Sequence, residues 1–210
     1  RVLAAAAQMA AHPLQFAWSF WELGAAGKKS ITAEKEWKSL QRHLCHFNTV
    51  EDFWLYYRGI PQPSQVFYDP RAREKRRVGG SGEERIIECF SLFKKDIEPS
   101  WEDDANIRGG EWWTRMSLQL KDLDSLWENL VLALVGCTIE NGDEITGARI
   151  VDKSKVGAAA TTVKLELWLR TKDPTIRNQI KSAMVELLSE GDQGRTDELD
   201  RSFKWKVHGI

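Results

Sequence analysis

Ten of the 210 residues are tryptophan, against three tyrosines and eight phenylalanines. A tryptophan is rarely fully buried, because its ring is large and its indole N–H needs a partner. Ten exceed what a core of this size needs, so some must face a ligand, a base or another protein. Two stand out by context. Trp37 sits in the polar stretch Glu34-Lys35-Glu36-Trp37-Lys38, and Trp101 sits in the acidic stretch Pro99-Ser100-Trp101-Glu102-Asp103-Asp104. Neither lies in an apolar-periodic segment, which argues for exposure. An exposed indole can stack on a flat ring, and positive charge on that ring adds cation–π attraction of about 0.5–2 kcal/mol. Glu102 directly follows Trp101, and a carboxylate can accept hydrogen bonds from two neighbouring N–H donors. On the residues alone, Trp37 and Trp101 could equally cap a sheet edge. Glu102 could be a solvated loop acid, and Trp168 could be a core residue of a central strand.

Other chemistries drop out. There is no nucleophile–base pair and no carboxylate dyad with supporting context, so nothing argues for an enzyme. His43-Leu44-Cys45-His46 lacks zinc spacing. Gly79 to Gly82 is not a phosphate loop, since no strand, Lys-Ser/Thr pair and helix follow in order. Cys45, Cys89 and Cys137 are an odd number and far apart, which suggests free thiols in a reducing compartment. Thirty Lys and Arg balance 31 Asp and Glu, a formal net charge of −1. That excludes a bulk basic coat for duplex nucleic acid, so any nucleic-acid contact must be local. No apolar run reaches the roughly 18 residues of a membrane span.

The elements that must position these residues follow from periodicity. Leu14 to Leu23, Leu40 to Phe47, Arg85 to Phe93, Glu111 to Leu118, Ile145 to Val151, Val163 to Leu169 and Ser202 to Val207 read as strands. Thr49 caps a helix from Val50 to Arg58, Asp122 caps a second to Val135, and Asp173 with Pro174 opens a third to about Leu188. A Gly- and Asp-containing loop follows it. Residues 1–11 read as a flexible N-terminal segment and 12–210 as one domain. Within it, residues 61–84 read as a mobile insertion, because they combine Pro61, Pro63 and Pro70 with the charge run Arg71 to Arg77 and four residues of Gly and Ser. That charge run reads as solvated. The expected fold class is α+β: a curved, mostly antiparallel sheet of about seven to eight strands, with three helices on its convex face. The other face is free to bind.

Several strings resemble one family in order and spacing. They are His12-Pro13-Leu14-Gln15, Trp18 and Trp21, Thr49-Val50-Glu51-Asp52-Phe53-Trp54, Ser91-Leu92-Phe93-Lys94, Ile97-Glu98-Pro99-Ser100-Trp101-Glu102-Asp103 and Arg108-Gly109-Gly110-Glu111-Trp112. Leu123-Asp124, Trp127, Gly147-Ala148 and Trp168 continue the match, which covers His12 to about Leu188. The chain resembles the eukaryotic translation initiation factor 4E family, which binds the 5′ cap of messenger RNA. The resemblance implies that Trp37 and Trp101 sandwich 7-methylguanine, whose methylated ring is cationic. Glu102 would accept from guanine N1–H and the 2-amino group, and Trp168 would contact the N7-methyl. Lys153, Lys155 and Lys164 would hold the triphosphate bridge. Lys153 stands where the family usually has Arg, and a point charge replaces a planar fork. The loop between Lys155 and Lys164 is longer than the family's. Glu111 replaces a usual basic residue, a sign of altered affinity or an unusual cap.

The resemblance also implies a convex partner surface of His12, Pro13, Val50, Trp54 and Leu132. It would receive a helix of the scaffold initiation factor 4G or of inhibitory binding proteins. Glu128 and Asn129 stand where an apolar residue and an acid are usual, which implies a partner that differs in kind from the family's. These departures suit a divergent member, and a trypanosomatid lineage is one source. The expected function is recognition of the 7-methylguanosine cap and recruitment or regulation of the initiation machinery. The alternative is a member with weak cap affinity that works as an interaction module or repressor. No cofactor, no metal and no membrane are expected, and the protein is expected to be a cytoplasmic, or also nuclear, monomer.

Overall fold

The computed structural model describes residues 11–25, 39–79 and 84–209. Seven strands form one sheet in the order β2-β1-β5-β7-β8-β6-β9, every neighbouring pair antiparallel. They are β1 (Pro13–Gly24), β2 (Gln41–Thr49), β5 (Ile87–Lys94), β6 (Gly110–Leu118), β7 (Ile145–Asp152), β8 (Thr161–Leu169) and β9 (Lys204–Val207). A two-stranded ribbon, β3 (Tyr68–Asp69) with β4 (Glu74–Lys75), stands apart. Register shifts interrupt β1 against β2, β1 against β5 and β7 against β8, and such bulges bend strands.

Among the described residues, helices pack one face of the sheet and leave the other open. Helices α1 (Val50–Gly59), α3 (Leu120–Val135) and α4 (Pro174–Ser189) contribute Phe53, Tyr57, Leu123, Trp127, Leu130, Ile180 and Met184 to a core shared with Trp18, Phe20 and Phe47. The caps of α1 and α4 follow the sequence: Asp52 N donates to Thr49 Oγ1 at 3.2 Å, and Thr175 N to Asp173 Oδ1 at 2.8 Å. Helix α3 begins earlier than expected, with Gln119 at its cap and Asp122 inside the first turn. No helix among the described residues is long and apolar enough to cross a membrane.

Two segments differ from their expected form. The loop expected after α4 holds a further helix, α5 (Gln193–Ser202). Asp192 caps it by accepting from Arg195 N at 3.0 Å, and an ion pair of 2.9 Å joins Asp200 to Lys181. Leu199 is its one buried residue, so it offers no apolar period to read. Part of the expected mobile insertion is also built in. A short helix, α2 (Pro63–Val66), leads into the ribbon, and Val66, Phe67 and Tyr68 are buried. Tyr68 Oη donates to Ala158 O at 2.7 Å, and Gly157 N donates to Arg73 O at 2.9 Å. Three consecutive bulky side chains outweigh the flanking prolines and charges. Residues 80–83 and, apart from Ala11, the expected N-terminal segment lie outside the described residues.

Candidate functional site

The site is built on the sheet face opposite the helices. Side chains alternate along a strand, so Glu111, Trp113 and Arg115 of β6 share that face, while Trp112 points to the helices and donates through Nε1 to Arg177 O at 2.8 Å. Across the register, Glu111 stands opposite Trp168 and Lys206, Trp113 opposite Glu166 and Lys204, and Arg115 opposite Lys164. Close approach at the start of β6 demands glycine. A Cβ on Gly109 would lie 1.8 Å from Leu169 O, and one on Gly110 would lie 2.5 Å from Lys206 O.

The loop between β5 and β6 carries Trp101 and Glu102. Its shape is set from inside: buried Asn106 donates through Nδ2 to Glu98 O at 3.0 Å and to Ser100 O at 2.9 Å. Asp103 accepts from Glu98 N at 2.8 Å and Ala105 N at 2.9 Å. This clamp holds Trp101 outward, 44% exposed. Lys206 Nζ stands over its ring at 3.8 Å from the centroid. Glu102 beside it is also exposed and receives a hydrogen bond from Ser100 Oγ.

Trp168 lies deeper on this face. It is only 1% exposed, wedged edge-on against Phe93 at 5.3 Å, and its Nε1 donates to Glu166 Oε2 at 3.0 Å. His208 lies against it at 4.4 Å between ring centroids and stacks on Trp101 at 6.2 Å with 22° between planes. Both imidazole nitrogens face oxygens: Nδ1 is 3.1 Å from Asn106 O and Nε2 is 3.4 Å from Glu111 Oε2. Sequence reasoning missed His208 and Lys206. The only signal was the alternation Lys204-Trp205-Lys206, cations on one parity and an aromatic on the other.

The expected phosphate cations divide. Lys164 Nζ donates to Glu111 Oε1 at 2.9 Å and Glu166 Oε1 at 2.7 Å, and Arg149 Nη1 lies 3.5 Å from Glu166 Oε2. Burial alone would raise the Glu111 carboxyl, but hydrogen bonds from His208 and Lys164 outweigh it and hold it below the usual range. Burial would likewise lower Lys164, yet the Glu166 charge and the bonds to both carboxylates raise it. Lys153 and Lys155 are exposed on the β7–β8 connection. The structure thus brings Trp101, Trp168 and Lys164 into one face, linked through His208 and Glu111, and leaves Lys153 and Lys155 at its rim. Trp37 lies outside the described residues. Among those described, no three His, Cys, Asp or Glu side chains could share a metal ion.

The second surface lies at the other side of the sheet. His12 Nδ1 is 2.6 Å from Glu51 Oε1, and its backbone N donates to Glu51 Oε2 at 3.0 Å. The His12 contacts pull the exposed Glu51 carboxyl down to about 2. Pro13 is exposed, Val50 is 37% exposed, and Trp54 and Leu132 are half-buried. Arg58 stands over the Trp54 ring at 5.6 Å. Asn129 Nδ2 donates to Glu190 Oε1 at 3.0 Å, so the carboxylate of the residue capping the end of α4 stands beside the position where an acid is usual in the family.

Comparison with known proteins decides the family. The family model described as eukaryotic initiation factor 4E matches residues 13–208. The chain belongs to the eukaryotic initiation factor 4E family. It is 34% identical over 158 residues to translation initiation factor 4E1 of Drosophila melanogaster, covering 75% of this chain and 49% of that protein. The chain therefore spans about half the length of that relative. With the factor 4E of Saccharomyces cerevisiae it shares 28% over 186 residues, 89% of this chain and 75% of that protein. The fold is similar to that of Caenorhabditis elegans eIF4E-3 in complex with the 4E-binding protein Mextli, at a TM-score of 0.70, 26% identity and coverage of 95% and 94%. It is also similar to Ascaris suum eIF4E-3 in complex with the m7G cap, at 0.69, 26%, 94% and 92%.

Proposed function

We propose that this family member binds the 7-methylguanosine cap of messenger RNA and so recruits or regulates the initiation machinery. The observation that carries this is the exposed Trp101 ring with a cation already over it and a carboxylate beside it. A methylated, cationic purine would take the place of the Lys206 ammonium over the indole. Glu102 would accept from the guanine N–H donors, and Trp37 would close the sandwich from the other side. Trp168 would act as the floor beneath His208. Lys153 and Lys155 would meet the triphosphate directly, and Lys164 would do so while shared with two carboxylates. The solved Ascaris relative, in complex with the m7G cap, supports the reading.

Residues 12–210 act as one cap-binding domain in this view, and the protein works in the cytoplasm as a monomer. His12, Pro13, Val50, Trp54 and Leu132 offer an apolar patch to a partner helix of factor 4G or of a binding protein, as the Mextli complex of the nematode relative supports. A second reading, weak cap affinity with a role mainly in protein interaction, has one observation in its favour: Lys164 is engaged by Glu111 and Glu166. Calorimetry with 7-methylguanosine triphosphate tests both. Binding is expected, with unmodified GTP far weaker because its base carries no charge. No heat and unchanged tryptophan fluorescence would sink the cap reading.

A further inference from the structure

Trp113 is a tryptophan without a structural task. It is half-buried on the open face of the sheet, it is not a member of the hydrophobic core, and among the described residues no helix packs on it. By contrast Trp205, paired with Trp112 across β6 and β9, packs edge-on against it at 5.3 Å on the helix side. Only cations attend the Trp113 ring: Lys164 Nζ at 4.9 Å and Lys204 Nζ at 5.5 Å from its centroid. Lys164 is neutralised by its carboxylates. Lys204, Lys206 and Arg115 are exposed, and among the described residues none has a carboxylate within 4.0 Å.

The placement is continuous with the proposed cap slot. Trp113 lies two residues along β6 from Glu111, about 7 Å at strand rise. The face therefore reads, from the slot outward, Trp101, Lys206, Trp113, Lys204 and Arg115: aromatic surface interleaved with unpaired cations. That is the composition that binds single-stranded nucleic acid, with bases stacked on aromatic faces and phosphates met by cations. A folded protein partner would find no comparable apolar patch here.

We propose that Trp113 is a stacking platform for a base 3′ of the cap, with Lys204 and Arg115 meeting the adjoining phosphates. This rests on the cap reading and extends it: the protein would hold the start of the RNA chain as well as the cap nucleotide. The test compares two probes by calorimetry, 7-methylguanosine triphosphate and the capped tetranucleotide m7GpppAGAA, on the parent, Trp113→Ala, Trp113→Phe and Lys204→Gln. The parent is expected to bind the tetranucleotide about tenfold more tightly than the cap nucleotide, the scale of one stacked base. Trp113→Ala should reduce that advantage to about twofold while leaving the cap nucleotide within twofold. Trp113→Phe should keep most of the advantage, and Lys204→Gln should flatten the salt dependence of the tetranucleotide alone. Equal affinity of the parent for both probes overturns the platform and spares the cap reading. So does an equal loss of both probes in Trp113→Ala, which would mark a structural role. No binding of the cap nucleotide by the parent overturns the cap reading, and the platform with it.

Discussion

The two ends of the candidate slot solve opposite problems. At the base end, a loop clamped by Asn106 and Asp103 holds Trp101 and Glu102 out in solvent. At the phosphate end, a sheet face draws Lys164 inward and spends its charge on Glu111 and Glu166. The first arrangement keeps an attractive surface open. The second satisfies the charge of Lys164 before any ligand arrives. Affinity should therefore come mainly from the base and less from the phosphates, and each end can be broken separately.

The largest effect is expected from Glu111→Gln, which leaves Lys164 and His208 short of a buried carboxylate. Removing one partner of such a pair costs about 3 kcal/mol. The Glu111 carboxyl is held below the ordinary range in the folded chain. Its stabilisation is therefore complete above ordinary carboxylate values and is lost as pH falls through the depressed one. Thermal unfolding should show the widest gap between variant and parent at neutral pH, narrowing in acid. A gap independent of pH would deny the pairing. Next comes Trp101→Ala, expected to weaken 7-methylguanosine triphosphate about 100-fold from lost stacking and cation–π attraction. A loss below threefold by calorimetry would mean that the open ring is not the base platform.

Glu102→Gln should cost about 30-fold, since hydrogen bonds to a charged group contribute about 1.5–3 kcal/mol. The loss should fall on guanine and leave a methylated base without the paired N–H donors nearly unaffected. The smallest effect is expected from Lys155→Gln, about threefold, disappearing at high salt as an exposed charge should. An effect as large as that of Trp101→Ala would reverse the ranking of the two ends.

The same contrast governs what the sequence could disclose. The strands were legible because alternation is local, and Thr49 and Asp173 announced their helices. Trp101 and Glu102 were legible because an aromatic in an acidic, non-periodic loop has no core to enter. Helix α5 was hidden, since Leu199 alone cannot make a period, and the anchor of the insertion was masked by its flanking Pro and Arg. The engagement of Lys164 was hidden for a different reason. Its partners lie on its own strand and across β6, and only the register of β6 on β8 brings Glu111 into reach. His208 was invisible likewise: a lone histidine beside a glycine gains meaning only where β9 sets it against Trp101 and Trp168.

That last placement has a consequence for how the protein comes into being. β9 follows every other described element in the chain, and His208 N donates to Gly109 O at 3.1 Å, across almost a hundred residues. During synthesis the loop with Trp101 emerges about a hundred residues before its imidazole neighbour. A growing chain can thus possess most of the described sheet and still lack the imidazole that stacks behind Trp101.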